Sequence, residues 1–235
     1  MKNIALLLAS GTGSRCGLDY PKQFAKIGDK TILELSIDNF ENHEMIDEIV
    51  IVTNAEYVQK VKELVQGYTK VSNVVAGGVT RKDSSFNGIS QIKYEDANVL
   101  IHDAVRPLIT SKIITDCING LTIYDAVCVA IPSTDTIFVI DDDDNIVSIP
   151  KRKLLDRKST RLNSSHRAQT PQCFKLGLIK EAHKKASEDN QCIVTDDCGL
   201  IMNYTDSKIH IVEGSEDNIK VTFKDDIEFV KSKLL

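Results

Sequence analysis

The stretch Ile4-Ala5-Leu6-Leu7-Leu8-Ala9-Ser10-Gly11-Thr12-Gly13-Ser14-Arg15-Cys16-Gly17 decides the fold. Its first part, residues 4–9, is a short unbroken apolar run that ends in glycines, which is how a strand buried on both faces of a parallel sheet reads. Runs of the same kind return at residues 49–53, 99–102 and 127–131, and segments with helical spacing lie around and between them at 31–40, 55–65 and 111–121. Strands alternating with helices predict an α/β fold with a doubly wound, mainly parallel sheet, and place ligands at the carboxyl ends of the strands. Motifs that carry chemistry are therefore expected just after strands.

The chain has 235 residues, 42% of them hydrophobic, which is enough for one α/β domain over residues 1–235. Its net charge of −5 is spread along the sequence rather than gathered in a basic stripe, which argues against nucleic acid as a partner but leaves room for a small anion. No apolar run approaches the ~18 residues of a membrane span, and no secretion signal is read, so a cytoplasmic protein is expected. The six cysteines show neither a Cys-x-x-Cys pair nor a His at zinc spacing, and read as free thiols of a reducing compartment.

From residue 136 the pattern changes. Two β-rich stretches, 136–140 and 145–149, flank Asp141 to Asp144 and predict a hairpin with a solvated acidic turn. The segment 136–166 reads as an arm and loop projecting from the sheet, a common place for subunits to meet. Within it the polar, patternless residues 157–166 (RKSTRLNSSH) read as an exposed loop.

The second part of the opening stretch can do chemistry. Glycines let a backbone approach phosphate oxygens and aim N–H groups at them, and Arg15 and Lys22 would add full charges. A dinucleotide loop or a plain tight connection would also begin this way. Gly11, Gly13 and Gly17 miss the G-x-G-x-x-G spacing, however, and no Gly-Lys-Ser/Thr ending marks a P-loop.

Gly11-Thr12-Gly13-Ser14-Arg15 followed by Pro21-Lys22-Gln23 resembles the signature of the cytidylyltransferase family that includes the methylerythritol-phosphate and ribitol-phosphate enzymes. The resemblance continues through Gly77-Gly78, Arg81 and Ser84-Ser85, then His102 to Pro107, Asp135-Thr136, Gln169 to Gln172, Thr195 to Asp197 and Asn218 to Thr222. These blocks run in family order along almost the whole chain. What they imply is a Rossmann-like nucleotidyltransferase fold that moves CMP from CTP onto a polyol phosphate and releases pyrophosphate.

The resemblance assigns the rest. Ala9, Ser10, Gly11, Thr12, Gly13, Gly78 and Ser84 would hold CTP, and Arg15, Lys22 and Lys220 would surround the reacting phosphates. Asp103 would hold Mg²⁺, while Arg106, Thr136, Thr195 and, from the arm of a second copy in a homodimer, Arg152 would grip the acceptor. The second pKa of a phosphate lies near ~6, so the attacking oxygen is ionised without a base, and His102 is expected to be structural.

The chain departs from the family between Arg152 and Gln169, where it is longer, and the excess coincides with residues 157–166; an inserted or foreign segment there would unsettle the arm and Arg152. Phe138 and the run Thr195-Asp196-Asp197-Cys198 lean toward the ribitol-phosphate branch. D-ribitol 5-phosphate is therefore the expected acceptor, with 2-C-methyl-D-erythritol 4-phosphate of isoprenoid synthesis as the alternative. A silent nucleotide-binding protein and a dinucleotide-dependent oxidoreductase are the readings of other classes.

Overall fold

The computed structural model describes residues 1–133, 139–141, 143, 145–148, 166–189 and 192–234. Thr136, Arg152 and all but the last residue of 157–166 lie outside them, as does most of the expected arm. Of the hairpin, β8 (Val139–Ile140) and β9 (Ile146–Ser148) are described and pair antiparallel.

The expected apolar runs form β1 (Lys2–Ala9), β4 (Glu48–Thr53), β6 (Ala97–Asp103) and β7 (Ala126–Pro132). Three further strands complete a seven-stranded sheet: β5 (Val71–Ala76), β10 (His166–Lys175) and β11 (Ile209–Glu213), in the order β11-β7-β10-β6-β1-β4-β5. The sheet is parallel except for β10, which runs antiparallel between β6 and β7. A two-stranded ribbon, β2 (Lys26–Ile27) and β3 (Lys30–Thr31), leads into the first helix.

The helices divide between the two faces. On one side α1 (Ile32–Glu41), α2 (Val58–Leu64) and α4 (Ser111–Gly120) cover Ala5, Leu7, Ile49, Ile51 and Leu100. On the other, α3 (Arg81–Ile89), α5 (Leu176–Glu188) and α6 (Asp197–Tyr204) cover Ile4, Leu6, Val50, Val52 and Val99. The strand side chains alternate between these two cores, which is why their sequences are apolar throughout. Each fully buried Leu or Ile contributes ~1.5–3 kcal/mol. A third cluster packs α7 (Lys224–Leu234), through Ile227 and Val230, against Cys16, Ala25, Ile32 and Val105.

Local signals set the helix boundaries. Thr31 caps α1 and Thr80 caps α3, each in a reciprocal capping box with Glu34 and Asp83. The helix expected over 55–65 is divided, with a 3-10 turn at Ala55–Tyr57 preceding α2.

Chain order makes β1 the switch point, since the path runs from β1 out through β4 to β5 and returns to β6 on the other side of β1. The carboxyl ends of β1 and β6 thus open a crevice between them. Behind it His102 is fully buried. Its Nε2 donates to the Arg106 carbonyl at 3.1 Å, because a carbonyl can only accept. Its Nδ1 therefore accepts from Thr170 Oγ1 at 3.1 Å, and that hydroxyl accepts the Asp103 backbone N–H at 3.1 Å.

Burial lowers the His102 imidazole from 6.5 to about 4. Below the unfolded value the unfolded chain gains a proton that the folded chain refuses, so stability falls with pH through this window. Wild type should therefore lose up to about 2 kcal/mol more than His102→Asn between pH 7 and pH 5 in urea melts without divalent cation. Equal losses would mean that the imidazole is charged in the fold. Packing gives a second expectation, because a Cβ on Gly88 in α3 would strike Leu6 and come within 2.7 Å of Val52, whereas one on Gly177 in α5 meets open space. Gly88→Ala should cost ~1–3 kcal/mol, and Gly177→Ala should be neutral or stabilise by up to ~1 kcal/mol, both read from urea midpoints.

Candidate active site

A cavity of about 440 Å³ opens at the switch point. The end of β1 and the loop after it supply Ala9, Ser10, Gly11, Thr12, Gly13 and Arg15 to its wall. Lys22, Gly78, Ser84, Asp103 and Lys220 complete the expected set. Eleven positions from five parts of the sequence thus converge on one space.

The loop owes its path to glycine at two points. Gly13 and Gly17 take φ of 70° and 66°, on either side of a 3-10 turn at Ser14–Cys16. A Cβ on Gly13 would also sit 3.0 Å from Lys22 Cγ, so the bare backbone lets the lysine pass. Gln23 donates from Nε2 to the Ala9 carbonyl at 2.6 Å and fixes the Pro21-Lys22-Gln23 turn to the end of β1. The loop after β5 is held as closely: a Cβ on Gly77 would lie 2.8 Å from Ser10 Cβ, and the Gly78 N–H donates to Ser84 Oγ at 3.1 Å. Ser10 Oγ donates to the same Ser84 hydroxyl at 3.1 Å.

Asp103 is the electrostatic centre of the wall. Lys220 Nζ lies 2.9 Å from its Oδ2, Arg106 Nε 3.7 Å from the same oxygen, and Arg81 Nε 3.9 Å from Oδ1. Burial alone would raise the Asp103 carboxyl, but Lys220, Arg81 and Arg106 pull it down to about 2, so it is ionised at neutral pH. Lys22 is 7% exposed, and no described carboxylate lies within ion-pair distance of it. Burial, then the charges of Lys220 and Arg15, lower its pKa. An amine held with too little negative charge around it wants an anion.

The C-terminal segment delivers Lys220. Val221 N–H donates to the Val105 carbonyl at 2.9 Å, and Asn218 Nδ2 donates to the Thr170 carbonyl at 3.0 Å. Arg106 Nη1 donates to the Asn218 carbonyl at 2.7 Å, which joins that segment to the turn after β6.

The expected acceptor residues are placed differently. Arg106 stands against Asp103 but behind the cavity wall, and Thr195 is exposed on the turn into α6, also outside that wall. Thr136 and Arg152 fall outside the described residues. Three polar residues that were given no role turn out to build the site: Gln23 and Asn218, as above, and Arg81, which lines the cavity. All lie in the motif blocks, which was the available signal.

The cavity, its glycine loop and the ionised Asp103 can be set beside known proteins. The family model described as IspD, 2-C-methyl-D-erythritol 4-phosphate cytidylyltransferase, matches residues 3–234. The chain is 40% identical over 239 residues to the bifunctional ribulose 5-phosphate reductase/CDP-ribitol pyrophosphorylase Bcs1 of Haemophilus influenzae, covering 99% of this chain and 48% of that protein. It thus spans about half the length of this relative. To the 2-C-methyl-D-erythritol 4-phosphate cytidylyltransferase of Thermobifida fusca it is 37% identical, covering 98% of this chain and 92% of the relative. The crystal structure of 4-diphosphocytidyl-2C-methyl-D-erythritol synthase from Anaerococcus prevotii superposes with a TM-score of 0.83 at 30% identity, covering 99% and 96% of the two chains. With a matching fold and a match to the family model along nearly its whole length, the chain belongs to the 2-C-methyl-D-erythritol 4-phosphate cytidylyltransferase family of nucleotidyltransferases.

Proposed function

We propose that this chain transfers CMP from CTP to a polyol phosphate and that D-ribitol 5-phosphate is the acceptor. The observation that carries the transfer is the cavity wall itself, where Lys22, Lys220 and Arg15 face a glycine-rich loop beside an ionised carboxylate. Ribitol 5-phosphate is favoured by the similarity to a relative named for CDP-ribitol. The family model and the Thermobifida fusca relative support methylerythritol phosphate as the second reading.

An acceptor phosphate oxygen attacks the α-phosphorus of CTP, a new P–O bond forms, and the bond to the β-phosphate breaks with its electron pair leaving on pyrophosphate. The attacking oxygen is already anionic, so no residue has to remove a proton. His102 fits this reading, since both ring nitrogens are engaged inside the protein. The work falls to positioning and to charge: Lys22 and Lys220 on the phosphoryl oxygens, backbone N–H groups of residues 11–13 on the triphosphate, and Ser10, Gly78 and Ser84 along the nucleoside. The acceptor is assigned to residues outside that wall: Arg106 for its phosphate, with Thr195 and the arm residues Thr136 and Arg152 for the hydroxyls.

Magnesium suits the donor set. Mg²⁺ is commonly held by one or two carboxylates together with substrate phosphates and water, and Asp103 offers one ionised carboxylate at the cavity. When bound, the ion would neutralise charge on the triphosphate. Among the described residues no helix is long and apolar enough to cross a membrane. The six cysteines are unpaired, which supports a cytoplasmic setting. A homodimer through the arm remains part of the proposal.

Pyrophosphate release from CTP with Mg²⁺ should be faster with ribitol 5-phosphate than with methylerythritol 4-phosphate at matched concentrations; the reverse order would reassign the acceptor. Lys22→Met should lower kcat by ~100-fold or more while leaving the thermal midpoint near that of wild type. Turnover close to wild type would remove Lys22 from the phosphate site.

A further inference from the structure

Arg81 is the cation at this site that a second carboxylate holds from behind. Its Nη1 lies 2.6 Å from Asp197 Oδ2, and Asp197 is fully buried at the start of α6. The other oxygen of Asp197, Oδ1, is buried with no hydrogen-bond partner among the described residues. Asp197 itself is held in place because Gln172 Oε1 accepts its backbone N–H at 3.0 Å and that of Cys198 at 3.2 Å. Gln172 Nε2 then donates to Asp196 at 2.6 Å. Arg81 thus spans two carboxylates: Asp197 anchors it, and its Nε faces Oδ1 of Asp103 from 3.9 Å.

The other oxygen of Asp103 has Lys220 at 2.9 Å and Arg106 Nε at 3.7 Å; Arg106 is already committed to the Asn218 carbonyl, whereas the Lys220 side chain is 42% exposed and lines the cavity. A lysine in that position has two possible partners, the carboxylate or an incoming phosphate. Leaving Asp103 strips a cation from a buried carboxylate, and a buried carboxylate without a partner is strongly destabilised. Release is tolerable only where another cation stays behind.

We propose that Arg81 is a positioning residue for the CTP site: anchored by Asp197, it stays beside Asp103 together with Arg106, Arg81 alone of the two facing Oδ1, and so frees Lys220 to bind the triphosphate. The inference rests on the reading of the cavity as a CTP site. Arg81 need not touch the nucleotide to act. Its effect passes through Lys220, and this separates it from a residue that merely holds the fold together.

Calorimetric titration of CTP into the whole chain without divalent cation tests it, using wild type, Lys220→Met, Asp197→Asn and the double variant. Lys220→Met should weaken CTP binding by about ten- to hundredfold, the worth of a charged hydrogen bond. Asp197→Asn should weaken it by a similar factor, and adding Lys220→Met to Asp197→Asn should then change little, because the lysine is already held back on Asp103. Losses that multiply, or wild-type affinity in Asp197→Asn, would overturn the inference. Arg81→Lys keeps the charge but cannot span both carboxylates; it runs the same cycle and decides the matter if thermal melts show Asp197→Asn unfolded. Absence of CTP binding by wild type is a different outcome, which overturns the reading of the cavity and the inference with it.

Discussion

The structure turns on a buried carboxylate that cannot be left without cations. Asp103 sits at the carboxyl end of β6 with Lys220, Arg106 and Arg81 within 4 Å. At such separations a pair is worth ~4 kcal/mol at an effective dielectric of 20, and breaking a buried pair costs ~3–5 kcal/mol. The cations come from the C-terminal segment, the turn after β6 and the first residue of α3. Satisfying the carboxylate therefore joins distant parts of the chain around the switch point. The third core cluster does the same with apolar groups, since Val221 and Val105 pack together just beside the charges.

The same arrangement leaves positive charge in excess. Burial and then the charge of Lys220 lower the tendency of Lys22 to hold a proton, and Arg15 adds to the effect. The surrounding fold holds these cations together against their mutual repulsion. A polyanion relieves it, and most of all when its charge is spreading, as during phosphoryl transfer. On the proposed reading, repulsion set up in advance would become stabilisation of the reacting phosphate, with little reorganisation left to do. No proton has to move to a side chain, which agrees with a histidine sealed behind the site by Thr170 and the Arg106 carbonyl.

How much of this was legible varied with how local each signal was. β1, β4, β6 and β7 are covered on both faces, so burial wrote itself into the sequence as apolar runs. β5 closes one edge of the sheet and is only partly buried, so its pattern is broken. β10 contains Pro171, and the polar side chains of Gln169, Thr170 and Gln172 spend themselves on Ser215, His102 and the start of α6 rather than on core packing. A strand whose side chains are mostly hydrogen-bonding does not look like a strand. In the site, the eleven positions that the resemblance assigned to CTP, the reacting phosphates and Mg²⁺ all line one cavity, because the family's motif blocks carry information that spacing alone does not. The role of Arg81 was not legible, since a basic residue at a helix start reads as solvated. What holds it is Asp197, 116 positions away. The distinct placement of Arg106 and Thr195, outside the wall, was equally beyond the reach of spacing.

The division between cavity and acceptor side has a consequence for specificity. The chain matches, along nearly its whole length, relatives whose names point to different polyols, CDP-ribitol in one case and 2-C-methyl-D-erythritol 4-phosphate in another. On the proposed reading, a wall rich in backbone groups, small residues and cations suits phosphate and a flat base. Discrimination between two polyol phosphates needs hydrogen bonds to individual hydroxyls, because a site that pairs a hydroxyl rejects an analogue lacking it far more strongly than an apolar pocket rejects a methyl group. Such contacts require only a few side chains outside the wall. On the proposed reading, a cavity fixed by the charge balance at Asp103 would serve either acceptor unchanged, and the choice would shift by substitution at its margin without disturbing that balance.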